Sequence, residues 1–269
     1  MVSYAVTGAS RGLGFEHIRQ LSATPSNIVF ALVRNTTSSP KLTALAASNP
    51  NVHILPGDLN SITQLQEAAN KVSSITGGSL DILINNGAYL DTETPGFLPT
   101  SLSSPENIEK VNSAFHKGID TNVLGAIHVT NTFLPLILKG TEKKIIHTSS
   151  AMGDAALVLK GGVAGAVSYS ATKAMLNLVV AKFAVELAGQ GVLILSLSPG
   201  WVDTDEGEPT PESKAGQQYL LGLFQKVDPE IKGRIAKEVS VKDQLETIGR
   251  VTMESSGKMI SQHGNEDWF

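Results

Sequence analysis

The chain has 269 residues, 41% of them apolar, with 25 glycines, no cysteine and a formal net charge of −4 at pH 7. That is ample material for one large core, at a length an α/β fold often reaches as a single domain, and here one domain over 1–269 is expected. Mild acidity without a lysine/arginine tract argues against a nucleic-acid surface, the lack of cysteine excludes disulfides and thiolate metal sites, and no stretch reaches the roughly 18 apolar residues of a membrane span.

The opening MVSYAVTG lacks the basic-then-apolar layout of a secretory signal, so a cytoplasmic protein is expected, with a small-molecule partner and no metal, membrane or nucleic acid. From there to about residue 200, short apolar runs alternate with longer helical patterns, as repeated βαβ units do. Strands are read at 3–7, 27–33, 52–56, 80–85, 144–149 and 192–198, and helices at about 14–23, 39–48, 61–75, 105–138, 168–188 and 241–254. Most of the strands are continuously apolar, as parallel strands covered on both faces are. Right-handed crossovers wind them into a Rossmann-type, doubly wound α/β fold that binds ligands at the carboxyl ends of its strands. Stretches 90–104, 154–167 and 203–216 break the alternation just after strand ends and are expected to be substrate loops.

The first strand runs into TGASRGLG, Thr7 to Gly14. A strand, a glycine turn and a helix start make a phosphate site, because unpaired N–H groups and the positive end of the helix dipole face the ligand. Gly8, Ser10, Arg11, Gly12, Leu13 and Gly14 are the candidate contacts, although their spacing is not the G-x-G-x-x-G of the standard dinucleotide fingerprint. Twenty residues beyond Gly14, where a dinucleotide fold carries its ribose-reading residue, stands Arg34. Arginine suits the 2′-phosphate of NADP, whereas an acid would accept from the free hydroxyl of NAD. Arg11 can swing outward toward the same phosphate, with a solvated arginine as the alternative at both positions.

Asp58 and Leu59 close the third strand and offer a carboxylate and an N–H to an adenine edge, or a cap for the next helix. Asn86 and Gly87 close the fourth as cofactor contacts or as an ordinary turn. Asn122 lies inside the 105–138 helix, where an amide is a mediocre helix former. It is read as an active-site residue, with a helix-face asparagine as the alternative. TSSAMG ends the fifth strand and puts Ser149 and Ser150 at its carboxyl edge. Tyr169 and Lys173, four apart at the start of a helix, share one face. An ammonium roughly 5 Å from the phenol at an effective dielectric of about 20 supplies about 3 kcal/mol, on the order of two pKa units in favour of phenolate.

Taken together, these residues resemble the short-chain dehydrogenase/reductases. The family's T-G-x-x-x-G-x-G loop matches Thr7 to Gly14, its active-site asparagine Asn122, its serine Ser150, with Ser149 as second choice, and its Y-x-x-x-K Tyr169 to Lys173. Its P-G-x-V-x-T segment over the nicotinamide matches Pro199, Gly200, Val202 and Thr204. The resemblance covers essentially the whole chain and implies a mostly parallel seven-stranded sheet, NADP(H) as cofactor and hydride transfer to a carbonyl. In that scheme Tyr169 donates the proton, Ser150 orients the carbonyl, Lys173 holds the nicotinamide ribose and lowers the tyrosine pKa, and Asn122 holds a water leading from Lys173 to solvent. NNGA departs from the family's N-N-A-G, and Tyr169 follows Ser150 by 19 residues, more than is usual.

The ending SGKMISQHGNEDWF resembles the short final strand and tryptophan-bearing tail of carbonyl-reductase-like members, and the opening is similar to ketoreductases of fungal polyketide pathways. Tyr89, Ala155 and Trp201 are read as substrate contacts for a hydrophobic ketone or aldehyde, with core packing as the alternative for each. The 168–188 helix is apolar on more than one side, which points to a homo-oligomer, a dimer or tetramer. The competing readings are an NADP-binding regulatory sensor, which has no need of Tyr169 and Lys173, and an NAD-dependent epimerase or dehydratase, which prefers an acid near position 34.

Overall fold

A computed structural model describes residues 1–37 and 39–269. The first half is three βα units and a strand: β1 (Ser3–Thr7), α1 (Gly12–Ser22), β2 (Ile28–Val33), α2 (Pro40–Ser48), β3 (Val52–Pro56), α3 (Ile62–Thr76) and β4 (Ile82–Asn85). Next come α4 (Ile108–Gly118), α5 (Gly125–Ile137), β5 (Lys144–Thr148), α6 (Ala155–Gly161), α7 (Val167–Leu187) and β6 (Leu193–Ser198). The chain ends through β7 (Val202–Asp203), α8 (Pro211–Phe224), β8 (Ile235–Ala236), α9 (Lys237–Arg250) and β9 (Met259–Ser261).

The main sheet has seven strands in the order β3-β2-β1-β4-β5-β6-β9, all parallel, and β7 and β8 form a separate two-stranded parallel pair. Strand order reverses between β1 and β4, which opens a crevice between the loops that follow them. Side chains of each strand go alternately to two cores. On one face Ile145 of β5 joins Phe133 of α5 and Leu176 and Val180 of α7, and on the other Ile146 joins Ile18 of α1 and Ile248 of α9. Both faces are dry, which is why the strands are apolar at every position.

Three elements differ from the sequence reading. The 105–138 helix holds a six-residue π-helical segment, Ile119–Leu124, between α4 and α5. Stretch 154–167 contains α6, because the Asp154 carboxylate caps it by accepting from Ala156 N at 2.9 Å. Stretch 203–216 turns into α8: Thr210 Oγ1 accepts from Ser213 N at 3.2 Å and Pro211 sits in the first turn, where a missing N–H costs nothing. Pro211 thus marks a helix start within a stretch expected to be a loop. Stretch 90–104 stays irregular apart from a turn at Pro99–Ser101, pinned to α7 by Ala166 N donating to Pro95 O at 2.7 Å and Ser168 Oγ to Asp91 Oδ2 at 3.3 Å.

Candidate active site

The loops after β1 and β4 meet over the crevice. Gly8 and Gly12 hold φ of +64° and +56°, and a Cβ on Gly8 would stand 2.6 Å from Gly87 Cα. Asn86 Nδ2 donates to Thr7 O at 3.2 Å and Gly87 N to Thr7 Oγ1 at 3.0 Å, so Asn86 and Gly87 brace the glycine loop. Leu59 is buried beneath them, against Gly87 and Gly125. Asp58 Oδ1 accepts from Asn60 N at 3.0 Å, which engages that oxygen in a local turn.

Arg11 precedes α1 as its N-cap, with an extended backbone and no side-chain capping bond, and the first turn of α1 carries no acid. The leading N–H groups of this helix, from Gly12, Leu13 and Gly14, therefore have no side-chain acceptor and face the glycine-cleared space, with the positive end of the helix dipole behind them. This cradle fits a dinucleotide pyrophosphate. Arg11 and Arg34 are exposed and make no ion pair among the described residues. Across the loop, a Cβ on Gly12 would meet Thr204 Cβ at 3.9 Å, so Thr204 comes back to the glycine loop, while Pro199, Gly200 and Val202 precede it in the segment after β6.

Ser150, Tyr169 and Lys173 converge at the end of β5. The Ser150 hydroxyl stands close enough to the Tyr169 phenol to favour its ionised form. Lys173 Nζ donates to Thr148 O at 2.8 Å and lies 5.7 Å from the centroid of the Tyr169 ring. Gly153 makes the convergence possible: a Cβ there would stand 2.9 Å from Lys173 C and Ala174 N, so only glycine lets the turn after Ser150 lie against α7. Ser149 is excluded from the reaction space because its Oγ donates to Asn177 Oδ1 at 2.6 Å.

Burial depresses the Lys173 pKa to about 8, which leaves an ammonium at neutral pH. Tyr169 moves opposite to the sequence expectation: burial raises its pKa, and the hydrogen bond with Ser150 opposes that shift. Desolvating a phenolate outweighs the attraction of an ammonium that is itself partly desolvated and already donating to a carbonyl. The phenol therefore stays protonated at neutral pH.

Asn122 sits in the π-helical segment, where widened backbone turns recur at functional positions. Its Oδ1 accepts from Tyr89 N at 2.7 Å, and its Nδ2 donates to Tyr89 O at 3.0 Å and to Thr172 Oγ1 at 3.1 Å. The amide thus mimics a peptide unit, tying Tyr89 to α7 one residue from Lys173. Both amide protons are engaged, and a lone pair of Oδ1 is the capacity left for a water. Tyr89 accordingly takes part through its backbone.

Trp201 lines a cavity that Ser150 also lines, whereas Ala155 is exposed on α6 and the residue of that helix in the cavity wall is Leu157. Phe224, Trp268 and Phe269 complete the wall. Sequence reasoning missed Gly153, Thr172, Leu157 and these three aromatics. TSSAMG held a readable hint, since its glycine closes the serine turn, and the tryptophan-bearing tail held another for Trp268.

The profile of the short chain dehydrogenase family matches residues 3–215. Over its full length the chain is 43% identical to the whole of the short-chain dehydrogenase/reductase atnB of Arthrinium sp, and 39% identical to the whole of the short-chain dehydrogenase/reductase AacuF of Aspergillus aculeatus. The NADPH-bound carbonyl reductase from chicken fatty liver superposes with a TM-score of 0.77 at 25% identity, covering 98% of this chain and 97% of that one. Parallel sheet, glycine cradle at the reversal of strand order and reactive hydroxyls at the strand ends define a nicotinamide-dependent oxidoreductase fold. The chain belongs to the short-chain dehydrogenase/reductase family. Among the described residues no helix is long and apolar enough to cross a membrane.

Proposed function

We propose that the protein reduces the carbonyl group of a hydrophobic small molecule with NADPH. The observation that carries this reading is the convergence of Lys173, 5.7 Å from the Tyr169 ring centroid, with the Tyr169 phenol and the Ser150 hydroxyl beside it at the end of β5. Bound in the cradle of Gly8, Ser10, Arg11, Gly12, Leu13 and Gly14, NADPH supplies the hydride. Arg11 and Arg34, exposed and free of ion pairs among the described residues, suit its 2′-phosphate, and no acid at position 34 offers the acceptor NAD prefers.

Ser150 Oγ holds the substrate carbonyl. Tyr169, protonated at neutral pH, donates its proton to the carbonyl oxygen as charge develops there, which suits the reductive direction. Lys173, charged below about pH 8, steadies the phenolate left behind and binds the nicotinamide ribose. Asn122 fixes α7 through Thr172 and leaves Oδ1 for a water on the path by which the proton is restored. Exposed Met175, Leu178 and Val185 on α7 support a homo-oligomer built on that helix. A regulatory sensor would have no use for this proton-transfer set.

The test is loss of NADPH absorbance with a panel of ketones, quinones and aldehydes. Reduction is expected with at least one class. Tyr169→Phe should cut kcat by at least about 100-fold while NADPH affinity stays within about twofold. NADPH binding without oxidation across the panel would refute the enzyme reading.

A further inference from the structure

The cavity beside Ser150 holds only about 50 Å³, whereas a cleft of about 420 Å³ lies next to it. Leu157, Trp268 and Phe269 line both spaces, so the aromatic pair stands between them. Directed contacts hold the pair in place. Trp268 Nε1 donates to Asp154 Oδ2 at 3.1 Å, and the Phe269 ring packs at 4.7 Å on Phe224, which meets Trp201 edge-on at 5.1 Å. Asp154 spends its other oxygen on the cap of α6, and it also closes the turn Ala151–Gly153 that follows Ser150. One residue thus sets the serine turn through its backbone N–H, donating to Ala151 O at 2.9 Å, and α6 and the aromatic wall through its two carboxylate oxygens.

We propose that Trp268 and Phe269 form the substrate-selecting wall of this site. They favour a flat aromatic carbonyl compound free of anionic groups, whose carbonyl reaches Ser150 while its rings pass the pair into the larger cleft. The inference rests on the carbonyl-reductase reading above.

Three observations support it. The inner space holds little beyond a carbonyl group, while the outer cleft falls within the roughly 300–1,000 Å³ of ordinary ligand pockets. Rings of Trp201, Phe224, Trp268 and Phe269 wall the inner space, and those of Trp268 and Phe269 continue into the cleft, offering faces and edges that stack on planar ligands. The cleft carries Asp154, Asp228, Glu266 and Asp267 against Lys160, which repels a carboxylate or phosphate and tolerates a neutral or cationic ring substituent.

Trp201 and Trp268 are the two tryptophans of the chain, and both line the inner cavity, so intrinsic fluorescence reads its occupancy without turnover. Wild-type protein saturated with NADP⁺ is titrated with 2-acetylnaphthalene, with its ring carboxylate and with butan-2-one. Saturable quenching is expected with 2-acetylnaphthalene, about tenfold weaker binding of the carboxylate, and a smaller gap at high salt. In turnover with NADPH, Trp268→Ala should lower the ratio of kcat/KM for 2-acetylnaphthalene over butan-2-one about tenfold. Trp268→Phe, which keeps a ring and loses the hydrogen bond, should lower it by a smaller factor. Equal binding of the ketone and its carboxylate, or an unchanged ratio in both variants, overturns the wall. Saturable, charge-selective quenching with no carbonyl reduced would uphold the wall and refute the function. Reduction of butan-2-one as efficiently as the naphthyl ketone would do the reverse.

Discussion

Mild acid should destabilise this protein, because two histidines are buried in their neutral form. His17 of α1 has Nε2 3.2 Å from Gln244 Oε1 on α9 and an Nδ1 without a partner among the described residues, and burial lowers its pKa to about 4. His147 of β5 lies under α5 with Nε2 3.3 Å from Thr130 Oγ1, and burial, helped by the Lys173 ammonium, lowers its pKa to about 3. In the unfolded chain both titrate near 6.5. Below that pH the unfolded state binds protons that the folded state refuses, so stability falls as pH falls, with a full slope of about 1.4 kcal/mol per pH unit for each histidine. Between about pH 6 and 5 the pair removes somewhat under 3 kcal/mol, a large part of the roughly 5–15 kcal/mol of an ordinary domain. His53, also lowered by burial, acts in the same direction. Glu16 and Asp81, whose lowered pKa values come from hydrogen bonds with Arg19 and Gln20 and with Ser3 and Thr141 against the opposing effect of burial, add their loss at lower pH still. Urea unfolding at pH 7, 6, 5.5 and 5 measures the slope. His147→Gln should reduce that slope by about 1.4 kcal/mol per pH unit whatever it does to stability itself, since the slope counts protons. Stability that holds constant from pH 6 to 5 would refute the assignment of two neutral buried imidazoles.

The remaining predictions concern the site. Gly153→Ala would set a Cβ 2.9 Å from the backbone of Lys173 and Ala174. It should cost about 1–3 kcal/mol in thermal unfolding and at least about tenfold in kcat by parting Ser150 from Tyr169. Ser150→Ala should cut kcat about 100-fold, whereas Ser149→Ala, which loses only its bond to Asn177, should leave kcat within about threefold, as steady-state kinetics would show. Arg11→Ala combined with Arg34→Asp should shift the kcat/KM ratio for NADPH over NADH by at least about 100-fold toward NADH, and an unchanged ratio would leave both arginines as solvated surface charge.

The division between what the sequence carried and what it did not has a consistent physical origin. Local rules sufficed wherever one segment does one job: strands that are apolar on both faces, a glycine loop clearing space before a helix, and a tyrosine and lysine one helical turn apart. Chain order alone then determined the parallel sheet and the side of it where chemistry belongs. Tertiary structure was needed wherever the outcome is a balance or a meeting. The Tyr169 pKa depends on burial against the approach of Ser150, and the spacing of Tyr169 and Lys173 supplies neither. The choice between adjacent Ser149 and Ser150 falls to Asn177, 27 residues away from Ser150 along the chain. Asn122 read as a residue with a task, but its partners Tyr89 and Thr172 come from other elements. The substrate wall shows this most plainly: Asp154 and Trp268 lie 114 residues apart, and no periodicity or motif links them until the sheet brings both beside Ser150.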